Sequence, residues 1–428
     1  MAMKESGIEW VGLIPDDWKI AKNNRLFNIS KQLVNENWKN TQLLSLTKSG
    51  IIEKNINDSG GKQPESFGTY QYVEKDDIVL CLFDIDVSAV FSDRSKYDGM
   101  ISPAYRVMKC TDAILPVYAK WWFDAVNIGR YYLIYTKSLR KTIDADGFGN
   151  ILTVVPPLSE QETIADYLDE TCSKIDEIIA EAKASIDEYE NLRQSIIYEI
   201  LTKGPDDNVE MKDSGVEWIG KVPSHWMIGK VKYGTTKVGS GKTPKGGAEV
   251  YMTSGVMFLR SQNIYNDGLR LDNPYYISEE IDEEMKNTRV QKNDVLLNIT
   301  GGSIGRCCIF DGSIPNANVN QHVCIIRVNS SVFLPEYMHL FWISPIGQIS
   351  IKSYQTGGNR EGMSAEAIKN TPIPIIPIGE QRRIVDLIKP KIDDFNSLIS
   401  EKESLINDLE AYKKSLIYEV VTGKRRVV

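Results

Sequence analysis

Residues 158–203 form the stretch that most constrains what this chain can fold into. No proline or glycine occurs between Glu160 and Lys203. Apolar residues recur through the stretch in alternating steps of four and three, which is the spacing of a coiled-coil seam. A continuous helix of this length would extend about 65 Å, too long for one globular core. The predicted seam residues are Leu168, Cys172, Ile175, Ile179, Ala182, Ile186, Tyr189, Leu192, Ile196 and Ile200.

A second seam with the same spacing lies near the end of the chain, offset by 220 residues from the first, as Glu160 and Glu380 show. Its repetition predicts two matched long helices that pack against each other. The predicted seam residues are Ile388, Ile392, Phe395, Ile399, Ile406, Leu409, Tyr412, Leu416 and Val420.

The rest of the chain is also duplicated. The segment from Met3 to Gly12 returns almost unchanged from Met211 to Gly220, at an offset of 208. The offset grows to 220 only inside the chain, so the ends of each copy are fixed and the interior absorbs insertions. This is a two-copy duplication, because no shorter period is present. Each copy reads as a short aromatic segment, a globular part of mixed α/β character, a proline-rich connector and a long helix.

The predicted boundaries follow from this duplication. We expect an N-terminal segment at 1–18, a first globular domain at 19–157 and a first helix at 158–204. A repeated segment at 205–226, a second globular domain at 227–377 and a second helix at 378–428 complete the chain. The fold class is therefore α+β, with two homologous α/β domains separated by two long antiparallel coiled-coil helices in a pseudo-twofold arrangement.

The composition excludes several classes of protein. No signal-like start and no apolar run of membrane-spanning length is present, so we expect a cytoplasmic protein. Six cysteines without C-x-x-C spacing predict neither a disulfide framework nor a zinc site. The net charge is −8, but the acidity is concentrated in the first helix: 160–203 has 12 acidic and 4 basic residues, whereas 19–157 has 15 and 18. Weakly basic globular parts permit DNA binding without demonstrating it.

Three stretches imitate catalytic motifs. Gly239–Thr243 resembles the end of a phosphate loop but lacks its first glycine, because Thr236 occupies that position. Asn273–Tyr276 resembles a methyltransferase tetrapeptide, but its proline is misplaced and no cofactor-binding turn precedes it. Pro15–Asp17 could open a nuclease motif, but its duplicate is Pro223–His225, which fits a turn better. We therefore expect no catalytic residue, no metal site and no bound cofactor in this chain.

With catalytic motifs set aside, the remaining candidate function is recognition of nucleic acid. Several loops are rich in side chains that contact phosphates and base edges, and glycines among them let backbone N–H groups approach phosphate. Loops of this kind precede the proline-rich connector in both copies. Because any single loop of this kind also fits a solvated surface, the observation favours nucleic-acid binding without proving it. The stretches are Lys48–Ser49, Arg94–Tyr97, Lys137–Lys141, Lys242–Lys245, Arg260–Asn263 and Thr356–Gly362.

These motifs resemble a known family. Ser6–Gly12 with Pro15 and Trp18, Pro156–Gln161, and Ser195–Glu199, each with its copy, are similar to the specificity subunit of type I restriction–modification systems over essentially the whole chain. The resemblance implies two target-recognition domains, each reading one half of a bipartite double-stranded DNA target, with two helices that set the spacer. Because the two domains have diverged, we expect an asymmetric target. The expected DNA-binding residues are Arg94, Lys96, Arg140, Lys141, Lys242, Arg260, Gln262, Asn263, Asn359 and Arg360.

The resemblance also implies partners. A non-catalytic specificity subunit would dock two adenine-N6 methyltransferase subunits and, with them, an endonuclease/translocase subunit that restricts foreign DNA such as that of phages. S-adenosylmethionine, ATP and Mg²⁺ are then expected on those partners. The candidate partner surface comprises the paired helices and the segments around Trp10, Trp18, Trp218 and Trp226. The alternative for these tryptophans is that they staple the connecting segments onto the helix ends.

Two other functions stay open on the sequence alone. A coiled-coil interaction scaffold without DNA specificity fits the net charge of −8. A recognition chain with its own methylation activity is disfavoured by the missing motifs. DNA binding in the presence of a methyltransferase subunit separates the first from the main hypothesis, and methyl transfer by the purified chain would revive the second.

Overall fold

The computed structural model describes residues 2–56, 66–88, 91–136, 141–353 and 362–427. It forms two compact units. Unit 1 comprises Met1–Lys183 and Glu403–Val428, and unit 2 comprises Ala184–Lys402. Both long helices are divided between the units, so each unit contains one globular part and half of each helix. Among the described residues, no helix combines the length and hydropathy needed to cross a membrane.

The described residues form short helices, two long helices and many short strands. The two long ones have 46 and 44 residues, or about 69 and 66 Å at 1.5 Å per residue. The short helices α2 and α6 each begin at a proline. The helices are α1 (Asn23–Leu26), α2 (Pro116–Ile128), α3 (Ala145–Asn150), α4 (Leu158–Lys203), α5 (Glu279–Glu284), α6 (Pro335–Ile343), α7 (Pro345–Ser353), α8 (Ala365–Asn370) and α9 (Ile378–Val421).

Unit 1 contains two four-stranded sheets, with strand orders β6-β5-β10-β7 and β4-β11-β8-β9, and the two-stranded pairs β1-β2 and β12-β3. Among its described residues, all pairings are antiparallel except β5 with β10. Its strands are β1 (Met3–Glu5), β2 (Leu13–Pro15), β3 (Lys19–Lys22), β4 (Phe27–Ser30), β5 (Leu43–Thr47), β6 (Gly50–Lys54), β7 (Gln71–Val73), β8 (Ile78–Leu80), β9 (Ser92–Arg94), β10 (Gly99–Ile101), β11 (Arg106–Cys110) and β12 (Leu152–Val155).

Unit 2 repeats this plan with sheets β16-β24-β21-β22 and β20-β17-β23 and the pairs β13-β14, β15-β25 and β18-β19. The parallel pairing again occurs once, between β17 and β23. Its strands are β13 (Met211–Asp213), β14 (Lys221–Pro223), β15 (Met227–Lys230), β16 (Thr235–Ser240), β17 (Val256–Leu259), β18 (Ile264–Tyr265), β19 (Gly268–Leu269), β20 (Tyr276–Ile277), β21 (Val295–Asn298), β22 (Cys307–Ile309), β23 (Ala317–Val319), β24 (Val323–Val328) and β25 (Pro372–Ile375).

The long helices pair antiparallel within each unit. In unit 1, the Lys413 ammonium lies 2.6 Å from an Asp176 carboxylate oxygen. In unit 2, an Arg193 guanidinium N–H donates to the Asn396 side chain at 2.6 Å. These two pairs occupy equivalent positions, since 193 and 176 become 413 and 396 at the offset of 220. Polar pairs between the helices of a coiled coil help to fix its register.

The seam prediction is wrong at two equivalent residues. Leu192 is 51% exposed and Tyr412 is 46% exposed, whereas Leu168, Ile388 and Leu416 are fully buried. The inward places next to Leu192 and Tyr412 belong to Arg193 and Lys413, whose long side chains reach the polar partners described above. A shift of one residue on a helix turns the side chain by 100°, so the neighbouring apolar residue faces outward.

A buried glutamine anchors the start of each long helix to the globular part of its unit. In unit 2, Gln381 is fully buried; its side chain accepts from the Leu334 N–H at 2.8 Å and donates to the Val332 and Ile376 carbonyls at 2.7 and 2.9 Å. In unit 1, Gln161 accepts from the Leu115 N–H at 2.7 Å and donates to the Ala113 and Pro156 carbonyls at 3.2 and 2.9 Å. The same clamp therefore orients both globular parts on the helices.

Candidate nucleic-acid interface

In unit 2, several strand ends meet at one edge of the fold. Antiparallel pairing places the end of β16 and the end of β21 beside the start of β24, with Ser240 and Leu297 opposite Cys324. Parallel pairing places the end of β17 beside the end of β23, with Leu259 opposite Val319. The loops that follow these strands are therefore neighbours, although they are far apart in the sequence.

Hydrogen bonds join these loops into one surface. Lys242 N–H donates to the Val319 carbonyl at 3.3 Å, and Asn320 N–H donates to the Leu259 carbonyl at 3.0 Å. The hydroxyl of Thr300 lies 2.6 Å from Nδ1 of His322, and Thr300 forms a β-bridge with Gly362. We call this surface the unit 2 loop cluster; it consists of Gly241–Lys242, Arg260–Asn263, Ile299–Ser303, Asn320–His322 and Gly362.

The unit 2 loop cluster contains most of the residues predicted for the second domain. Lys242 and Gln262 are exposed. Arg260 is half-buried, with its guanidinium carbon 3.8 Å from the ring centre of Tyr275 and 5.8 Å from that of Tyr251. Asn359 and Arg360 lie outside the described residues, and Gly362 close by belongs to the cluster. Lys242 and the stretch Arg260–Asn263 thus converge on one surface, together with Gly362.

Asn263 requires a correction. It is 4% exposed, its side-chain oxygen accepts from the Arg260 N–H at 2.9 Å, and its side-chain N–H donates to the Arg270 carbonyl at 2.7 Å. A buried amide whose oxygen and one N–H are bonded inside the turn does not present its edge to an adenine in this conformation. Asn263 therefore shapes the loop that presents Arg260.

In unit 1, the predicted residues do not form one surface. Arg94 is paired with Ile78 at the start of β8 and lies 3.6 Å from an Asp76 carboxylate oxygen; the exposed Lys96 follows it. Lys141 lies beyond the other end of β8, where its carbonyl accepts from the Ile85 N–H at 3.3 Å. Arg140 lies outside the described residues. Arg94 and Lys96 are thus separated from Lys141 by the length of a strand.

The edge at Lys141 corresponds to the unit 2 loop cluster. Ile143 N–H donates to the Leu82 carbonyl at 2.9 Å, and its duplicate Met363 donates to the Ile299 carbonyl at the same distance. Two basic residues at this edge were missed, the exposed Lys31 directly after β4 and the half-buried Arg106 at the start of β11. In unit 2, the exposed Gln321 and the half-buried His322 were missed in the same way. A polar residue at a strand end was the only available signal.

The four tryptophans lie in two kinds of position. Trp18 and Trp226 are 1% and 0% exposed, and their indole N–H groups donate to Glu160 and Glu380 at the starts of α4 and α9. This is the position that the staple alternative predicts. Trp10 and Trp218 are half-buried: Trp10 stacks on Tyr131 with ring centres 4.1 Å apart, and Trp218 donates to the Ser350 hydroxyl at 2.9 Å. Partner contact at Trp10 and Trp218 stays a prediction.

Known proteins resemble this chain over most of its length. Residues 223–408 match the family model described as type I restriction modification DNA specificity domain. The EcoBI specificity subunit of a type I restriction enzyme from Escherichia coli is 24% identical over 287 residues, 64% of this chain and 58% of that protein. The MjaVIII specificity subunit from Methanocaldococcus jannaschii is 23% identical over 313 residues, 69% of this chain and 70% of that protein. The match to the E. coli subunit thus spans less than two thirds of its length.

Two solved structures share the fold. A chain from work described as the structural basis underlying complex assembly and conformational transition of the type I R-M system has a TM-score of 0.72 at 13% identity, covering 96% of this chain and 99% of that one. The HsdS subunit from Thermoanaerobacter tengcongensis has a TM-score of 0.51 at 13% identity, covering 96% of this chain and 98% of that one. The fold class predicted from the sequence is confirmed.

Proposed function

We propose a function that starts from the family of this chain: residues 223–408 belong to the type I restriction–modification DNA specificity domain family, and the family resemblance predicted from the sequence is confirmed. We propose that each unit reads one half of a bipartite DNA target and that the chain delivers this specificity to methyltransferase subunits. The observation that carries the proposal is the unit 2 loop cluster, where loops from four strand ends present amide, imidazole, guanidinium and ammonium groups together.

The chemistry of the unit 2 loop cluster supports base reading. Guanidinium groups donate two hydrogen bonds to guanine, and glutamine side chains pair with adenine. Arg260 is held by tyrosine rings, and Gln262 and Gln321 are exposed. Lys242 adds a positive charge of the kind that contacts phosphate and positions a protein on DNA. We infer that unit 2 reads its half-site through these side chains.

The unit 1 edge supports a different half-site. Its basic residues are Lys31, Arg106 and Lys141, and the loop after β8 adds Asp84 and Asp86, whose carboxylates can accept from the cytosine amino group. Since this set differs from that of unit 2 in both charge and hydrogen-bonding pattern, we propose an asymmetric target. Arg94 and Lys96, near the opposite end of β8, would then contact phosphate at most.

The long helices support the partner proposal. Besides the buried seam, they carry exposed apolar residues, and five of these, 39–51% exposed, recur at multiples of seven residues along their helix. We call them the outer stripe: Ile178 and Leu192 on α4, and Leu398, Leu405 and Tyr412 on α9. Ile178 and Leu192 become Leu398 and Tyr412 at the offset of 220, so the duplication provides two similar surfaces. We propose that each docks one methyltransferase subunit through helix packing.

The remaining parts of the proposal concern chemistry on other chains. We propose that this chain is non-catalytic, that the methyltransferase subunits bind S-adenosylmethionine, and that ATP and Mg²⁺ act on the endonuclease/translocase subunit. The continuous helices α4 and α9 would set the number of base pairs between the half-sites, because two major-groove readers are placed about 34 Å apart per helical turn of DNA. A cytoplasmic location stays a prediction.

The test is base-resolution mapping of methylated adenines in a methylation-free host that expresses this chain with its methyltransferase subunit. We expect a split, asymmetric motif that disappears when this chain is omitted. Replacing Lys242, Arg260 and Gln262 together by Ala should abolish or relax one half of the motif only. The matched control is Lys232→Ala, because this exposed lysine precedes β16 at the end away from Lys242.

Two results would contradict the proposal. Absence of any motif, although both proteins are soluble and associated, would favour a coiled-coil scaffold without DNA specificity. An unchanged motif in the triple variant would show that unit 2 reads DNA through other residues than the unit 2 loop cluster.

A further inference from the structure

One aromatic ring near the unit 2 loop cluster has two guanidinium groups beside it. The guanidinium carbon of Arg306 is 4.5 Å from the ring centre of Tyr265, and that of Arg270 is 5.1 Å from it. Both distances are within the range of a cation–π interaction. The two arginines therefore contact the same tyrosine ring, and their other contacts can be compared directly.

The other contacts of the two arginines differ. Arg270 donates to an Asp267 carboxylate oxygen at 2.5 Å, and this hydrogen bond raises the pKa of Arg270 above its usual value. Arg306 forms no ion pair with any carboxylate among the described residues. Arg270 is thus ion-paired within the protein, whereas no carboxylate of the described residues pairs with Arg306.

The backbone ties Arg306 to the unit 2 loop cluster. Arg306 lies in the turn between β21 and β22; its N–H donates to the Ser303 carbonyl at 3.2 Å, and its carbonyl accepts from Asn298 at 2.8 Å. The Asn298 side chain is fully buried and donates to the Ser261 carbonyl at 2.8 Å and the Ser303 hydroxyl at 3.2 Å. Asn298 therefore fixes the loop carrying Arg306 against the loop carrying Arg260 and Gln262.

A stacked arginine of this kind is prepared for binding. The planar guanidinium on an aromatic face has already lost much of its rotational freedom, so less is lost when a ligand binds. Its fork fits two acceptors at once, either phosphate oxygens or the O6 and N7 atoms of guanine. Arg260 on Tyr275 repeats the same arrangement at 3.8 Å, which indicates that unit 2 uses tyrosines to present arginines.

We propose that Arg306, held on Tyr265, is a DNA contact of unit 2 and supplies a bidentate donor to a phosphate or to a guanine edge. This proposal rests on the proposed function, because it extends the same DNA surface beyond the residues already assigned to it. Arg270, which is ion-paired with Asp267, is not part of the contact. Tyr265 acts as a positioning residue for Arg306.

The experiment compares Arg306→Ala with Arg270→Ala in the full chain assembled with its methyltransferase subunit. Kd is measured on a duplex carrying the mapped target and on a scrambled duplex of equal length. Losing a bidentate arginine contact should weaken target binding about 5- to 150-fold. Arg270→Ala should leave binding within about twofold, although it removes the same charge from the same ring. Arg306→Lys, which keeps the charge but not the fork, should recover only part of the loss.

Tyr265→Leu tests the positioning role. It should weaken binding in the parent chain and have little further effect in the Arg306→Ala background, since the arginine it positions is then gone. Thermal unfolding of each variant checks that the fold is intact, and Arg306→Lys covers the case in which Arg306→Ala is unstable. Equal loss on both duplexes identifies a phosphate as the ligand, whereas loss on the target alone identifies a base.

Three outcomes would overturn the proposal. The first is unchanged binding by Arg306→Ala. The second is an equal loss in Arg270→Ala, which would reduce the effect to net charge. The third is failure of the parent assembly to bind either duplex, which would overturn the proposed function as well, so the two failures are distinguishable.

Discussion

Replacing Gln381 by Leu should loosen the start of α9 from the globular part of unit 2. Gln381 is fully buried and forms three hydrogen bonds to the main chain, with Leu334, Val332 and Ile376. Leucine has a similar volume and offers no donor or acceptor, so the packing is retained and all three partners lose their hydrogen bonds. The variant therefore measures the clamp rather than a cavity.

The expected fall in the free energy of unfolding follows from the number of buried groups that lose their hydrogen-bond partner. A buried donor or acceptor without a partner costs about 1–3 kcal/mol. With one N–H and two carbonyl groups affected, the free energy of unfolding of unit 2 should fall by about 3 kcal/mol or more. Because hydrogen bonds of this kind are not additive when they share one side chain, the lower end of the range is the better expectation.

The assay is urea unfolding followed by hydrogen exchange and mass spectrometry, which reports each unit separately. Amides of β25 and of the first turns of α9 should lose protection in Gln381→Leu, while unit 1 stays protected. Gln161→Leu is the matched control, because it removes the equivalent hydrogen bonds in unit 1. In this variant unit 1 should lose protection while unit 2 stays protected. A fall below about 1 kcal/mol, or a loss of protection spread equally over both units, would refute the reasoning.

Three further predictions concern the helices and one buried histidine. Leu405→Lys should prevent capture of the methyltransferase subunit without changing thermal unfolding, since Leu405 is 39% exposed; Asn407→Lys, on another face of α9, adds the same charge and should bind normally. Asn396→Asp should stabilise unit 2 by about 0.2–1 kcal/mol by giving Arg193 a carboxylate partner, and the gain should shrink at high salt. Burial lowers the pKa of His339, so the unfolded state binds more protons in acid; the stability of unit 2 should fall as pH drops below about 6.5, and less so in His339→Gln.

The duplication and the two long helices were predictable because their signal extends over many residues. A seam repeated at a fixed offset of 220 gives many independent agreements, as at Leu168 and Ile388. The two errors, at Leu192 and Tyr412, fall where Arg193 and Lys413 take the inward places. Apolar periodicity does not reveal a charged side chain that turns inward to meet a polar partner on another helix.

The candidate interface was predictable only in part. Lys242, Arg260 and Gln262 converge because strand ends at one edge gather loops that are distant in sequence. Arg94 and Lys141 do not converge, because they lie at opposite ends of β8, and only the pairing of β9 with β8 and the contact of Lys141 with Ile85 reveal this. Asn263 illustrates a second limit: an amide that closes a turn and one that reads a base have the same sequence signal.

The two units share their buried hydrogen bonds and differ in the exposed side chains of their loops. The tyrosine hydroxyls of Tyr118 and Tyr337 donate to equivalent carbonyls at 3.1 Å in both units, and the glutamine clamps repeat bond for bond. The side chains of the loops at the corresponding sheet edges differ: acidic side chains flank the basic ones in unit 1, whereas amide and imidazole groups do so in unit 2. A scaffold that needs one geometry keeps its internal hydrogen bonds, because each loss strands a buried group. The exposed side chains of the loops carry no such penalty, so they are free to differ, and two unlike half-sites are the expected consequence.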